Sequence, residues 1–493
     1  MQAAAVHKEA GWLAPVLWLA AALAACLSVL ALNGRPLFYL DIWLYVEQGT
    51  TALQLAGLID RVPVMAADGG AAGPAGGAAS TVNGSRSVVY AIITGLAVHF
   101  GTLSAVVWMN AVLILGTVAL VMRVIRRVCW PQAPLAMLIA VPVLAACLGS
   151  LPFYVAYLMP DIFTPVLLLM IGLLAVFARQ MRGWEIVLAL ALGSLAIVSH
   201  LSHLGIAALM VPVAVLASVL AGRRGWWLGP VLVLAILGVG YAQNKLFKVA
   251  AKELAHSEVI LSPILTARML QDGPGMAYLN RHCPDPAIDT CLLHAELQKS
   301  DDPYRITASH ILFETSERLG SLKRMPVEEQ QKVARAQFRF FFDVAREDPA
   351  GVAYAIVKNT LTQAQLIRVD MTIPSPKVVA AVADVPGLVG EARLADGWMT
   401  AQQGWLVPVT WVHRIYYVLS AAVVLVLLVQ PGRVPGKVKI FALMLIAGIL
   451  ANAVVCGAVS QPAARYGARV IWLLPFAAAL LGLFALFARR EER

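Results

Sequence analysis

Long apolar runs fill most of the chain, separated by short polar turns and by two longer polar stretches. A membrane-spanning helix needs about 20 mostly apolar residues. Ten runs approach that length: 11–32, 103–122, 133–150, 154–178, 185–200, 203–221, 227–245, 411–430, 438–459 and 470–488. The first follows a short N-terminus carrying Lys8 and resembles a signal peptide in position. The many runs after it make it a retained first helix. The pattern predicts an all-α polytopic membrane protein.

The basic residues test this layout. Arg123, Arg126 and Arg127 follow the second run, Arg179 and Arg182 the fourth, and Arg223 and Arg224 the sixth. Arg433, Lys437 and Lys439 follow the eighth, and Arg489 and Arg490 the tenth. Every second junction is basic, which the positive-inside rule asks of cytoplasmic loops. Both termini are therefore expected in the cytoplasm of a multi-pass protein of a bacterial inner membrane.

Three units follow: a membrane module over 1–242 with a first external loop at 33–101, an external domain at 243–410, and a second membrane module over 411–493. The first loop contains MAADGGAAGPAGGAASTVNGS, a low-complexity stretch. It is not a phosphate-cradling loop, because no Gly-Lys-Ser/Thr closes it. The 243–410 segment holds more than half of the charged residues. Helical spacing over Val327–Asp348 and Ala353–Arg368, parted by Pro349, predicts a mainly helical periplasmic domain. Within it, Cys283 and Cys291 flank a Pro-Asp-Pro turn, and an oxidising compartment favours their pairing as a disulfide over two free thiols. Cys26, Cys129, Cys147 and Cys456 lie in or beside apolar runs and read as small apolar fillers.

Composition agrees: 60% of residues are hydrophobic and 13% charged, against about 25% charged in soluble domains. That excludes a cytosolic enzyme, a nucleic-acid binder and a disordered scaffold. The net charge of +10 argues first for orientation and only second for an anionic partner.

An acid at a membrane edge is costly without a task or a partner. Asp41 follows the first run and Asp161 opens the fourth, both on the external side. Each alone reads as a helix cap; together they form a candidate acid/base pair. His200 and His203, spaced i, i+3 in VSHLSHLG, offer a metal or phosphate contact against the plainer reading of turn residues. Phe38, Tyr39, Trp43, Tyr45, Phe153, Tyr154 and Tyr157 are expected in an interfacial aromatic belt.

The stretch carrying Asp41, followed by SRSVVYAIITGLAVHF, resembles the first external loop of GT-C-type glycosyltransferases. These are polyprenyl-phosphate-sugar-dependent enzymes such as lipid A aminoarabinose transferases and protein O-mannosyltransferases. Asp161 in MPDIFTPVLLLMIGLLAVFAR matches their second acid, and SQPAARYGARVIWLLPFAAALL resembles their late Arg-Tyr before a Pro-containing helix. The sequence departs at Ile42, where the family often has a second acid, and in carrying its polar insertion before the last three runs. The resemblance implies a GT-C-like fold and transfer of a sugar from a polyprenyl-phosphate donor to a cell-envelope acceptor: lipid, glycan or protein. It implies Asp41 as general base and Asp161 as a second catalytic acid. Arg86, Tyr90, His200, His203, Arg465, Tyr466 and Arg469 become candidate substrate contacts. Whether Asp161 holds a divalent metal is left open. The alternatives are a polysaccharide polymerase or ligase, which would rely on Arg and His, a lipid-carrier flippase, and a non-catalytic assembly protein. No half-to-half repeat supports the flippase.

Overall fold

The computed structural model describes residues 13–59, 80–84, 86–300, 306–316, 318–382, 394 and 396–488. Lys8, most of the low-complexity stretch, Arg489 and Arg490 lie outside the described residues. The principal helices are α1 (Leu13–Cys26), α2 (Ile42–Leu55), α3 (Val88–His99), α4 (Ser104–Cys129), α5 (Leu135–Cys147), α6 (Phe163–Phe177), α7 (Gly183–Val198), α8 (Ser202–Ala221) and α9 (Leu228–Ala255). After the insertion, which holds α10 (Val327–Glu347) and α11 (Pro349–Gln365), come α12 (Leu406–Val429), α13 (Gly436–Val454), α14 (Ala464–Ile471) and α15 (Leu473–Leu483).

Among the described residues, seven helical segments are long and apolar enough to cross a membrane: Ser104–Cys129, Pro160–Gln180, Ser202–Ala221, Leu228–Glu253, Gln403–Val429, Gly436–Val459 and Ala464–Phe487. The chain is thus a multi-pass helical membrane protein. The other three expected spans fall on the shorter helices α1, α5 and α7. α1 continues past a break at Leu27 as the helix Ser28–Asn33, and α5 past Leu148–Ser150 as the helix Leu151–Ala156.

α6 is the axis of the bundle. Its sequence FTPVLLLMIGLLAVF is apolar on every side except at Thr164, and every residue is buried. A helix without a polar face belongs inside, and α4, α7, α8, α9 and α13 surround it. Gly448 lets α13 approach: a Cβ there would stand 2.7 Å from Leu168. α9 and α12 lie outermost, exposing Leu234, Tyr241, Ile415, Val418 and Leu425. That apolar surface suits lipid.

Chain direction separates two ends. At one, α4 ends, α7 begins and α13 begins. Here Arg127 donates to both Glu185 carboxylate oxygens at 2.6 Å and to the Gln180 carbonyl. Lys439 caps the end of α12 through the Leu428 and Gln430 carbonyls. Helix C-termini favour such cations. At the other end, α6 and α8 begin, α7 and α13 finish, and α14 starts. The first loop and the insertion gather there.

In the first loop, α2 and α3 cross with backbones in contact: a Cβ on Gly49 would fall 1.8 Å from the Ala91 carbonyl oxygen. The backbone of β1 (Ser80–Asn83) pairs in parallel with β2 (Ser257–Ile260) of the insertion. α9 runs on to Ala255, where His256 turns the chain with φ +47°. The helices of the insertion enclose their own apolar core, including Leu270, Leu279, Leu293, Ile311, Phe340 and Val344. Cys283 and Cys291 are joined by a disulfide at a Cα separation of 5.6 Å.

The α2–α3 crossing gives a test. Gly49→Val is expected to cost about 1–3 kcal/mol or more through overpacking, lowering the midpoint of thermal unfolding in detergent. Gly116→Ala, where a Cβ meets nothing within 4 Å, leaves it unchanged.

Candidate functional site at one end of the bundle

Asp41 occupies the N-cap position of α2, yet its side chain makes no cap hydrogen bond. It turns instead to two arginines. Arg86 Nη2 donates to Asp41 Oδ1 at 3.0 Å, and Arg465 Nη1 lies 3.8 Å from Asp41 Oδ2. The Asp41 side chain keeps 28% of its surface exposed, Arg86 22% and Arg465 10%. This cluster is therefore reachable from outside. Arg465 is held over the rings of Tyr39 (5.4 Å) and Tyr466 (4.9 Å). Burial raises the phenols of Tyr39 and Tyr45 above their ordinary value, so both remain protonated beside Asp41.

A second cluster lies deeper. Asp161, in a short 3-10 turn ahead of α6, and Arg469 of α14 are both fully buried and paired at 3.1 Å. Arg469 also donates to Asn452 Oδ1 from Nε and Nη2, to Ser202 Oγ at 3.1 Å and to Cys456 Sγ at 3.2 Å. Asn452 returns a hydrogen bond to the Tyr466 carbonyl. The Arg469 guanidinium lies 4.9 Å from the centre of the Tyr466 ring, which Arg465 also touches. Tyr466 thus links the shallow acid–arginine cluster to the deep one.

The structure therefore separates residues that the sequence treats alike. Asp161 and Arg469 are expected as a catalytic acid and a substrate contact; both are wholly enclosed, and their charges satisfy one another. In this arrangement neither side chain reaches the surface. Tyr90 is likewise buried, edge-on to Tyr45 and Phe163, and neither its hydroxyl nor Asp161 Oδ2 has a hydrogen-bond partner among the described residues. Both ring nitrogens of His203 are engaged within the protein. Its Nδ1 donates to the Ala196 carbonyl at 2.6 Å, so Nε2 accepts from the Thr164 hydroxyl at 2.7 Å. His200 is different: its Nδ1 accepts from Ser202, leaving Nε2 to donate.

His200 and Arg86 line a narrow cleft between the start of α3, the α7–α8 turn and α9, with Gly84, Gln243, Asn244 and Phe247. Arg86 joins this cleft to Asp41. A divalent metal does not fit beside Asp161, because the Arg469 cation already sits there. Among the described residues no group of three His, Cys, Asp or Glu could hold one.

Other expectations change for reasons of burial. Phe38, Tyr45, Tyr154 and Tyr157 are inside the protein rather than in a lipid-facing belt. Tyr154 donates to the Arg465 carbonyl and Tyr157 to the Met371 carbonyl. Cys456 touches Arg469 and so is more than a filler. Asn452 carries its own signal in the sequence, an amide inside an apolar run, since polar groups there need partners.

The insertion closes over this end. Gln363 of α11 donates to the Ala463 carbonyl and accepts from the Ala463 amide. A Cβ on Gly467 would fall 2.1 Å from the Leu366 carbonyl oxygen, and one on Gly457 2.6 Å from that of Asn359. α11 therefore lies directly on the turn that carries Arg465. No protein family, curated protein or solved structure matches the chain.

The two acids should respond differently to neutralisation. Asp161→Ala leaves Arg469 buried and unpaired and is expected to cost about 3–5 kcal/mol. Asp41→Ala, in a partly exposed pair, should cost no more than about 1 kcal/mol. Thermal unfolding of both variants in nanodiscs reads the difference.

Proposed function

We propose that the protein is a GT-C-like membrane glycosyltransferase that moves a sugar from a polyprenyl-phosphate donor to a cell-envelope acceptor. The observation that carries this reading is the partly exposed Asp41 carboxylate set between Arg86 and Arg465 at the end of an apolar bundle. A lipid-linked donor delivers its phosphate at that height, with its tail in the bilayer. In this reading Arg86 and Arg465 bind the phosphate through charge-assisted, paired hydrogen bonds. Asp41 takes the proton of the acceptor hydroxyl as its oxygen attacks the anomeric carbon. The bond from that carbon to the phosphate oxygen breaks, and the lipid phosphate leaves with the electron pair. The configuration at the sugar inverts.

The same reading places the Asp41 end outside the cytoplasm, in the periplasm of a bacterial inner membrane. It counts ten spans, adding α1, α5 and α7 to the seven long segments, with both termini cytoplasmic. The Arg127–Glu185 end then faces inward, in keeping with the positive-inside rule. Asp161 acts through Arg469 and Tyr466 as a positioning residue.

A second reading, a polysaccharide ligase, is favoured by the presence of His200 and Arg86 in one cleft. Substitution separates the two. Asp41→Asn is expected to reduce sugar transfer from a polyprenyl-phosphate donor in isolated membranes by about 10²–10⁴-fold, with the protein still folded. Undiminished transfer in Asp41→Asn would overturn Asp41 as the general base, and together with loss in His200→Ala it would favour the ligase reading.

A further inference from the structure

The insertion carries an apolar surface that its own core does not use. On α11, Val352, Ala355, Asn359 and Gln363 point inward, while Tyr354, Val357 and Leu361 stand outward at 69%, 56% and 58% exposure. This second stripe follows helical spacing, i, i+3, i+7. Lys358 lies beside it, its ammonium 6.0 Å from the Tyr354 ring. On the neighbouring α10, Phe338 and Phe342 are 65% and 57% exposed, flanked by Arg339 and Arg346, which share the single carboxylate of Asp343 at 3.8 and 3.6 Å and so keep a net positive charge. Residues this large are rarely left in water as a cluster.

The position of α11 identifies what covers them. Through Asn359 and Gln363 it rests on Gly457 and Ala463, where the spans Gly436–Val459 and Ala464–Phe487 emerge. The adjoining span Gly436–Val459 exposes Leu450 and Val459, apolar side chains suited to lipid. The α11 stripe lies on the helix face opposite Asn359 and Gln363, the residues that meet the span ends. We propose that the α10–α11 hairpin lies in the headgroup layer of the adjacent leaflet, with Tyr354, Val357, Leu361, Phe338 and Phe342 against acyl chains and Lys358, Arg339 and Arg346 against lipid phosphates. Aromatic and aliphatic anchors beside basic residues are the composition of interfacial helices, and basic groups at that depth favour anionic lipid. Because Asn359 and Gln363 couple α11 to the Arg465 turn, the hairpin fixes the depth of that turn relative to the membrane surface.

Photo-crosslinking tests this without reference to activity. The photoreactive residue p-benzoylphenylalanine replaces Tyr354 or Phe338 in the full chain, which is reconstituted in nanodiscs of phosphatidylethanolamine and phosphatidylglycerol. Tyr241, exposed on the span Leu228–Glu253, serves as the lipid-contacting control. The expected result is a mass increase of one phospholipid at both test positions, as at Tyr241. A covalent dimer would show that a second copy covers the face. That outcome, or the absence of lipid adducts while Tyr241 gives them, overturns the proposal.

Discussion

Arg469 is a full positive charge with no exposed surface, held at the end of a bundle otherwise built from apolar side chains. Taking such a charge out of water costs several kcal/mol unless opposite charge and hydrogen-bond acceptors surround it. Here the counter-charge comes from Asp161 ahead of α6, an amide oxygen from Asn452 on α13, a hydroxyl from Ser202 on α8 and a sulfur from Cys456. Four separate parts of the chain must therefore meet at one guanidinium. That requirement sets how α6, α8, α13 and α14 stand relative to one another at this end.

From this fixed point the accessible cluster is built outward. Arg469 lies against Tyr466, Tyr466 against Arg465, and Arg465 beside Asp41. Arg465 is held from three further directions: by Tyr39, by Tyr154 on its carbonyl, and by α11 pressed on the same turn. Preorganisation of this kind lets a charged group act without first being ordered by its ligand. The buried pair and the partly exposed pair are thus unequal members of one arrangement, the first enclosed, the second open to solvent.

The insertion contributes to the same end of the molecule. Its core folds around residues such as Leu279, Leu293 and Phe340, while its last long helix, α11, belongs equally to the membrane module. Glycines at 457 and 467 permit backbone contact between them. β1 and β2 tie the first loop to the start of the insertion. Three stretches far apart in sequence therefore frame one site, and no local pattern announces that they will meet.

Much was nevertheless legible. Seven long apolar runs appear as helices fit to span a membrane, because a run of apolar residues carries its own reason to leave water and to satisfy its backbone internally. The polar insertion and its helices at Val327–Glu347 and Pro349–Gln365 follow from periodicity and from the helix-stopping Asp-Pro junction. Asp41 and Asp161 stood out together because charge near an apolar run always needs explaining. Their inequality could not be read, since burial is a property of neighbours. Asp161 is enclosed by helices that begin about 40 and 300 residues later, and Asp41 finds its arginines at 86 and 465. The aromatic residues near Asp41 show the same limit: composition placed them at an edge, and packing decided that most face inward. Hydrophobicity is local and additive, so the sequence alone determined which segments are helices in an apolar setting. Ion pairing acts through space between distant segments, so only the tertiary structure decided which charges stay partly exposed and which are enclosed in the bundle.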